Sequence, residues 1–142
     1  MKQRVVELFG RYERAFNSAL AGDGDLDEVA GLYANVFISA VPAGIFAGTN
    51  DDKLREAMKA GFERYRAIGT QRMEVKDVRV APINPQHALA FVDWLATYDK
   101  VGEEVAIPFT NAYFVRLQDD GAKVFGWVTG DEEAELRKHG IG

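Results

Sequence analysis

The 142-residue chain carries 17 Lys and Arg against 22 Asp and Glu, for a net charge of −5, and it contains no cysteine. That length suits one domain, 1–142, able to bury its own core. The acidic balance argues against a nucleic-acid backbone as partner, and the lack of thiols excludes disulfides, thiolate metal sites and cysteine nucleophiles.

The N-terminal "MKQRVVELFGRYERAF" interleaves charges with apolar residues and so does not read as a signal peptide. Val5, Phe9, Tyr12, Phe16, Ala19 and Leu20 recur at spacings of three and four, which predicts a helix from about Lys2 to Leu20. "GDGDLDEV" breaks it, and Asp25 followed three residues later by Glu28 reads as a capping box that opens a second, short helix. "NVFISAV" is extended and ends at Pro42, Gly44 and Gly48. "TNDDKLREAMKAGFERYRAIG" predicts a third helix, about Asp51 to Ile68, with cap groups at Thr49 to Asp52. Its buried face carries Leu54, Met58, Phe62, Tyr65 and Ile68, and Gly69 closes it.

From Thr70 the spacing changes to two. "MEVKDVRVAPI", "HALAFVDWLATY", "EVAIPFTNAYFVRL" and "KVFGWVTG" read as four strands of an antiparallel meander. "DEEAELRKHG" is a last short helix, begun by Asp131 or by Thr129 with Glu132. The segregation of helices from strands predicts an α+β fold, a curved antiparallel sheet with helices packed on its concave face. No apolar run approaches the ~20 residues of a membrane span, so no membrane is expected as partner, and a cytoplasmic setting fits the lack of cysteine.

The turns set a register. With Val101-Gly102 as a two-residue turn, Lys100 faces Glu103 and Asp93 faces Thr110. With Asp120-Gly121 as the next turn, Asp119 faces Ala122 and Thr110 faces Asp131. One face then carries Phe91, Asp93, Thr110, Phe114, Arg116, Trp127, Thr129 and Asp131, a row of two carboxylates and a hydroxyl bordered by aromatic rings. The other carries Trp94, Phe109, Tyr113 and Val115 and is too apolar to stay wet, which predicts a homodimer burying it.

"ALAGDGDLDEVAGLYANVFIS", "FAGTNDDKLREAM" and "HALAF…DDGAKVFGW" together resemble the nuclear transport factor 2-like superfamily, the cone-shaped fold shared by SnoaL-like cyclases and ketosteroid isomerases. The resemblance covers nearly the whole chain. It implies a conical pocket between the concave sheet face and the helices, and homodimers in many members. "ALAF" is similar to an isomerase strand whose phenylalanines face the pocket, which would turn Leu89, Phe91 and Asp93 inward. The isomerase base falls at Val41, its oxyanion-hole tyrosine at Phe16 and its oxyanion-hole aspartic acid at Ala112. None of these side chains can move the required proton, so steroid isomerisation by those residues is not expected. SnoaL-like members can use an acid near the end of the last strand, and Asp131 is the nearest match.

Asp93, between Phe91 and Leu95, is costly to bury unpaired, and desolvation would poise it for proton transfer. The competing reading is an ion pair with Arg116 or Lys100, or exposure at the mouth of the cone. Asp131 competes with an N-cap role. Phe16, Phe91, Phe114 and Trp127 are candidate apolar walls, and Thr110, Thr129 and Arg116 candidate ligand contacts. His87 and His139 stand far apart in the sequence without spaced carboxylates, so no metal is expected, and no dinucleotide or phosphate-loop pattern implies a cofactor. Two functions follow. The first is a cofactor-independent enzyme moving a proton next to a carbonyl of a small, mostly apolar molecule, of isomerase, dehydratase or cyclase type, with Asp93 as acid/base. The second is a non-catalytic small-ligand-binding or dimerisation module in the same pocket.

Overall fold

Helix α1 (Lys2–Leu20) lies across a sheet and buries Val5, Leu8 and Phe9 completely. The computed structural model describes residues 1–22 and 24–142; Asp23, in the break after α1, lies outside the described residues. The remaining elements are α2 (Leu26–Ala30), β1 (Tyr33–Val41), β2 (Gly44–Thr49), α3 (Asp52–Ala67), β3 (Thr70–Asn84), β4 (His87–Lys100), β5 (Glu103–Gln118), β6 (Gly121–Val128) and α4 (Glu132–Lys138). The fold is α+β, as the sequence predicts, and the helix boundaries agree with the periodicity to within a residue or two.

Side-chain caps begin the three later helices. Asp25 accepts a hydrogen bond from the Asp27 amide, Asp51 from that of Lys53, and Asp131 from that of Ala134. Gly69 closes α3 at φ +85°, and a Cβ there would stand 2.5 Å from the Asp99 carbonyl oxygen, so no other residue fits without movement.

The sheet order is β2-β1-β6-β5-β4-β3. Strands β3 to β6 form the predicted antiparallel meander. Two features differ from expectation. First, β1 pairs with β6 in parallel, so the sheet is mixed. These strands are separated by α3 and the meander, and such a connection permits either direction, whereas a tight turn does not. Second, "GIFAGT" is a strand, paired antiparallel with β1 through the turn at Pro42-Ala43. Its glycines hide the strand pattern.

The β4–β5 register is the predicted one, with Asp93 opposite Thr110 and Lys100 opposite Glu103. Near the second turn Leu117 faces Ala122 and Gln118 faces Gly121, so the turn is Asp119-Asp120 instead of Asp120-Gly121. A bulge follows. Val115 pairs with Val124 but Phe114 with Gly126, leaving Phe125 as the extra residue. Beyond it the sides exchange, so Trp127 lies opposite Tyr113 and not on the side of Phe114.

The larger correction concerns the face that the helices cover. Ala88, Ala90 and Val92 are completely buried in one core with Val5, Leu8, Phe9, Trp94, Tyr113 and Val115. The helices therefore cover the face with Trp94, Phe109, Tyr113 and Val115, and that face is not open to a second subunit. The side that α1 covers holds the small Ala88, Ala90 and Ala96 of β4, all buried. The bulkier row of Leu89, Phe91, Leu95 and Phe114 stays on the outer side. Among exposed apolar residues are Phe91 (36%), Val128 (46%) and Ile38 (53%).

Candidate functional site

Alternation along β5 turns Phe109, Asn111 and Tyr113 to the helix side, beside Trp94 of β4. Helix α1 brings Tyr12 and Phe16, one turn apart on the same stripe, and α3 brings Tyr65. Tyr33, Val41 and Trp127 close the wall from β1 and β6. These side chains enclose a cavity of about 290 Å³, with Glu132, at the start of α4, on its border. Among the described residues, no Lys, Arg or His lines it.

The polar groups of this cavity form an ordered set. Trp94 Nε1 donates to Tyr113 Oη at 3.0 Å, and Asn111 Nδ2 donates to the same oxygen at 3.3 Å. Two donors occupy the acceptor capacity of that hydroxyl, so its own proton is left to be donated onward. Tyr12 is its hydroxyl neighbour and in turn shares a 2.6 Å hydrogen bond with Tyr33 Oη. At the mouth, Tyr65 Oη donates to Glu132 Oε2 at 3.3 Å.

Burial, the dominant cause, pushes the hydroxyls of Tyr12, Tyr33, Tyr65 and Tyr113 well above the ordinary tyrosine range. They remain protonated at neutral pH and serve as donors. Glu132 also moves upward: desolvation in the mouth is the main cause, and Glu133 adds to it, while the Tyr65 hydroxyl and Arg64 oppose it. The residue as a whole is still exposed, so solvent reaches this carboxylate. One wall therefore offers fixed hydrogen-bond donors and the mouth offers a carboxylate with raised basicity, an arrangement that can take a proton from a molecule held between them.

The predicted site residues divide between the two sides of the sheet. Phe16, Trp127 and Thr129 line the cavity. Phe91, Asp93, Phe114 and Arg116 belong to the outer side, so the expectation of an inward Asp93 is corrected, and with it the pocket orientation implied by "ALAF". Asp93 pairs with Arg79, at 2.5 Å from Nη1, and accepts from Thr110 Oγ1 at 2.6 Å. Arg79 chiefly, with Thr110, holds its carboxyl below the usual aspartate range. Arg116 instead meets His87 Nε2 at 2.7 Å, and Phe114 packs on Phe125. Thr110 borders the recess beneath α4, as does Asp131, whose carboxylate caps that helix. Phe16 and Val41, two of the positions the isomerase resemblance singles out, do line the cavity. The third, Ala112, lies opposite Phe91 on the outer side, and its neighbours Asn111 and Tyr113 face in.

From the sequence, Tyr12, Tyr33 and Tyr65 read as core and not as ligand contacts, Glu132 reads only as a helix cap, and Asn111 and Tyr113 are not singled out as site residues. Tyr12 and Tyr65 do lie on the apolar stripes of their helices, which marks them as inward, but nothing in the spacing brings their hydroxyls together. Among the described residues no cluster of three or more His, Asp and Glu is placed to hold a metal ion, and no helix is long and apolar enough to cross a membrane.

The geometry of Asp93 predicts a titration. A depressed folded pKa adds stability above the ordinary aspartate range near ~3.9, and this is lost as pH falls through the folded value. Asp93→Asn should therefore melt slightly below the parent at neutral pH, with the difference vanishing in acid. A thermal melt series against pH checks this; a gap that persists at the acid end would count against the pairing.

Residues 2–132 match the family described as "NTF2-like protein (DUF6841)". No curated protein sequence matches the chain. Among solved structures, a protein of Kribbella flavida aligns with a TM-score of 0.71 at 12% identity, covering 96% of each chain. An NTF2-like protein with a cystatin-like fold from Novosphingobium aromaticivorans aligns at 0.69 and 18% identity, covering 96% of this chain and 86% of that one. A ketosteroid isomerase-like protein from Erwinia carotovora atroseptica aligns at 0.61 and 18% identity, covering 87% and 90%. At these identities the likeness is one of fold.

Proposed function

We propose that this chain, which belongs to the NTF2-like protein family, binds a small, mostly apolar carbonyl compound in its internal cavity and moves a proton next to the carbonyl without a cofactor. The observation that carries this reading is Glu132, a carboxylate of raised pKa at the mouth of an aromatic cavity whose hydroxyls stay protonated. Glu132 takes the proton from the carbon beside the carbonyl. The electron pair moves onto the carbonyl oxygen, which accepts a hydrogen bond from Tyr33 or Tyr12. Glu132 then returns its proton to the same carbon or to another, giving exchange or isomerisation. Phe16, Trp127 and Thr129 hold the molecule. Asp93 and Asp131 have no part in the step, because one is paired outside the cavity and the other caps α4.

Incubation of a small apolar ketone with the protein in D2O tests this. Deuterium should enter the carbon beside the carbonyl faster than in buffer. Saturable binding, read by emission of the cavity residues Trp94 and Trp127, with no exchange would leave the non-catalytic binding module instead.

We also propose self-association, through the outer face. Ile38, Phe91, Phe114 and Val128 lie on the side the helices leave uncovered, and Arg79, Asp77 and Asp93 at its border offer both charges to a two-fold copy. Sedimentation should give a dimer at tens of micromolar, a routine working range, that Phe91→Glu dissociates; a monomer at that concentration would remove the proposal.

A further inference from the structure

The central cavity is not isolated. A recess of about 100 Å³ beneath α4 shares Phe109, Asn111, Thr129 and Glu132 with it. On the other side, a chamber of about 120 Å³ between α1, α2 and α3 shares Tyr12, Phe16, Tyr33 and Tyr65 with it. The two outer chambers have no lining residue in common, so the three stand in series with the central one between them.

The two ends differ in chemistry. The end beneath α4 carries Asp131, Glu132 and Glu135. The far end carries Val29, Met58, Phe62 and Gly61, and its polar side chains are the tyrosines. Among the described residues, no Lys, Arg or His lines any of the three chambers. Gly61 falls within the buried stripe of α3, beside Met58, Phe62 and Tyr65, where a larger apolar residue would ordinarily sit. A Cβ built there meets nothing within 4 Å. The missing side chain leaves the far chamber open.

We infer that this series of chambers takes an elongated amphipathic molecule with an uncharged or cationic head, the head beside Glu132 and the tail running between α1 and α3 to Gly61. The inference rests on the reading of the central cavity as the ligand site and adds the ligand's shape and charge. A carboxylate or phosphate head would meet three acidic side chains, of which Glu135 is paired with Lys138 at 3.4 Å, and no cation stands in the lining itself. A hydroxyl, carbonyl or ammonium head meets acceptors and donors that suit it. The apolar tail gains by leaving water at each methylene that finds room.

The test is a binding series read by Trp94 and Trp127 emission, with hexanol, decanol, decylamine and decanoate as probes at neutral pH. From hexanol to decanol each added methylene should tighten binding about fourfold. Decylamine should bind at least as well as decanol, and decanoate about tenfold more weakly or worse. Gly61→Leu should flatten the gain with chain length by filling the far chamber. Gly61→Ala should keep it, and both changes favour the helix, so folding is retained. Decanoate binding as tightly as decanol would overturn the assignment of charge. Saturable hexanol binding with no gain to decanol would overturn the elongated shape and leave the ligand site intact. Failure of every probe, hexanol included, would overturn both this inference and the ligand site on which it rests.

Discussion

Glu132→Gln is expected to slow proton exchange on a bound ketone by about 10²–10⁴-fold, the usual contribution of a positioned general base. The amide keeps the shape and can still accept from Tyr65, whose hydroxyl lies 3.3 Å from the carboxylate, but it cannot take a proton. The parent's rate should rise with pH through the value of Glu132, above the ~4.3 of a free glutamate, because a base acts in its ionised form. The variant should lack that limb. Stability should move the other way. A raised folded pKa means that the fold favours the protonated acid; this contribution is present below the ordinary glutamate range and is lost as pH rises through the folded value. The neutral amide would carry no such loss, so the variant should melt no lower than the parent at neutral pH. Lost turnover with an unimpaired melt identifies a catalytic group. Undiminished exchange would retire Glu132 and favour the binding module.

Phe9→Ala is expected to cost about 3–5 kcal/mol, the range for removing a fully buried phenylalanine. Phe9 is completely buried, and its ring lies 4.8 Å from that of Tyr113 and 5.8 Å from that of Tyr12. For a chain of this length the melting temperature should fall by roughly 10–15 °C. The neighbouring Val6, on the exposed side of α1, is the control, and Val6→Ala should change stability little. The loss would extend beyond the core, since Phe9 packs on Tyr113 and Tyr12, whose hydroxyls bond to Trp94 and to Tyr33 at the cavity wall. Weakened ligand binding in Phe9→Ala, measured below its melting range, would show that coupling; a melt within a few degrees of the parent's would contradict the burial.

Most of the local structure is written in short-range patterns. Spacings of three and four residues delimit α1 and α3, Asp25, Asp51 and Asp131 act as caps, and Val101-Gly102 fixes the β4–β5 register. Each of these depends on neighbours a few residues away, so one chain segment contains the whole cause. The family pattern likewise needs only the order of such segments.

Which sheet face receives the helices is a different kind of fact. Both faces of β4 and β5 are apolar, so alternation separates them without ranking them. The ranking comes with α1, whose Val5, Leu8 and Phe9 share one core with Ala88 and Ala90, while Leu89 and Phe91 are left on the opposite side. One extra residue at Phe125 then moves Trp127 across the sheet, a change no period-two reading can foresee. The candidate site depends on both. Glu132, Tyr65, Tyr113, Tyr12 and Tyr33 come from five different elements, and only the packing of those elements brings their oxygens into one cavity.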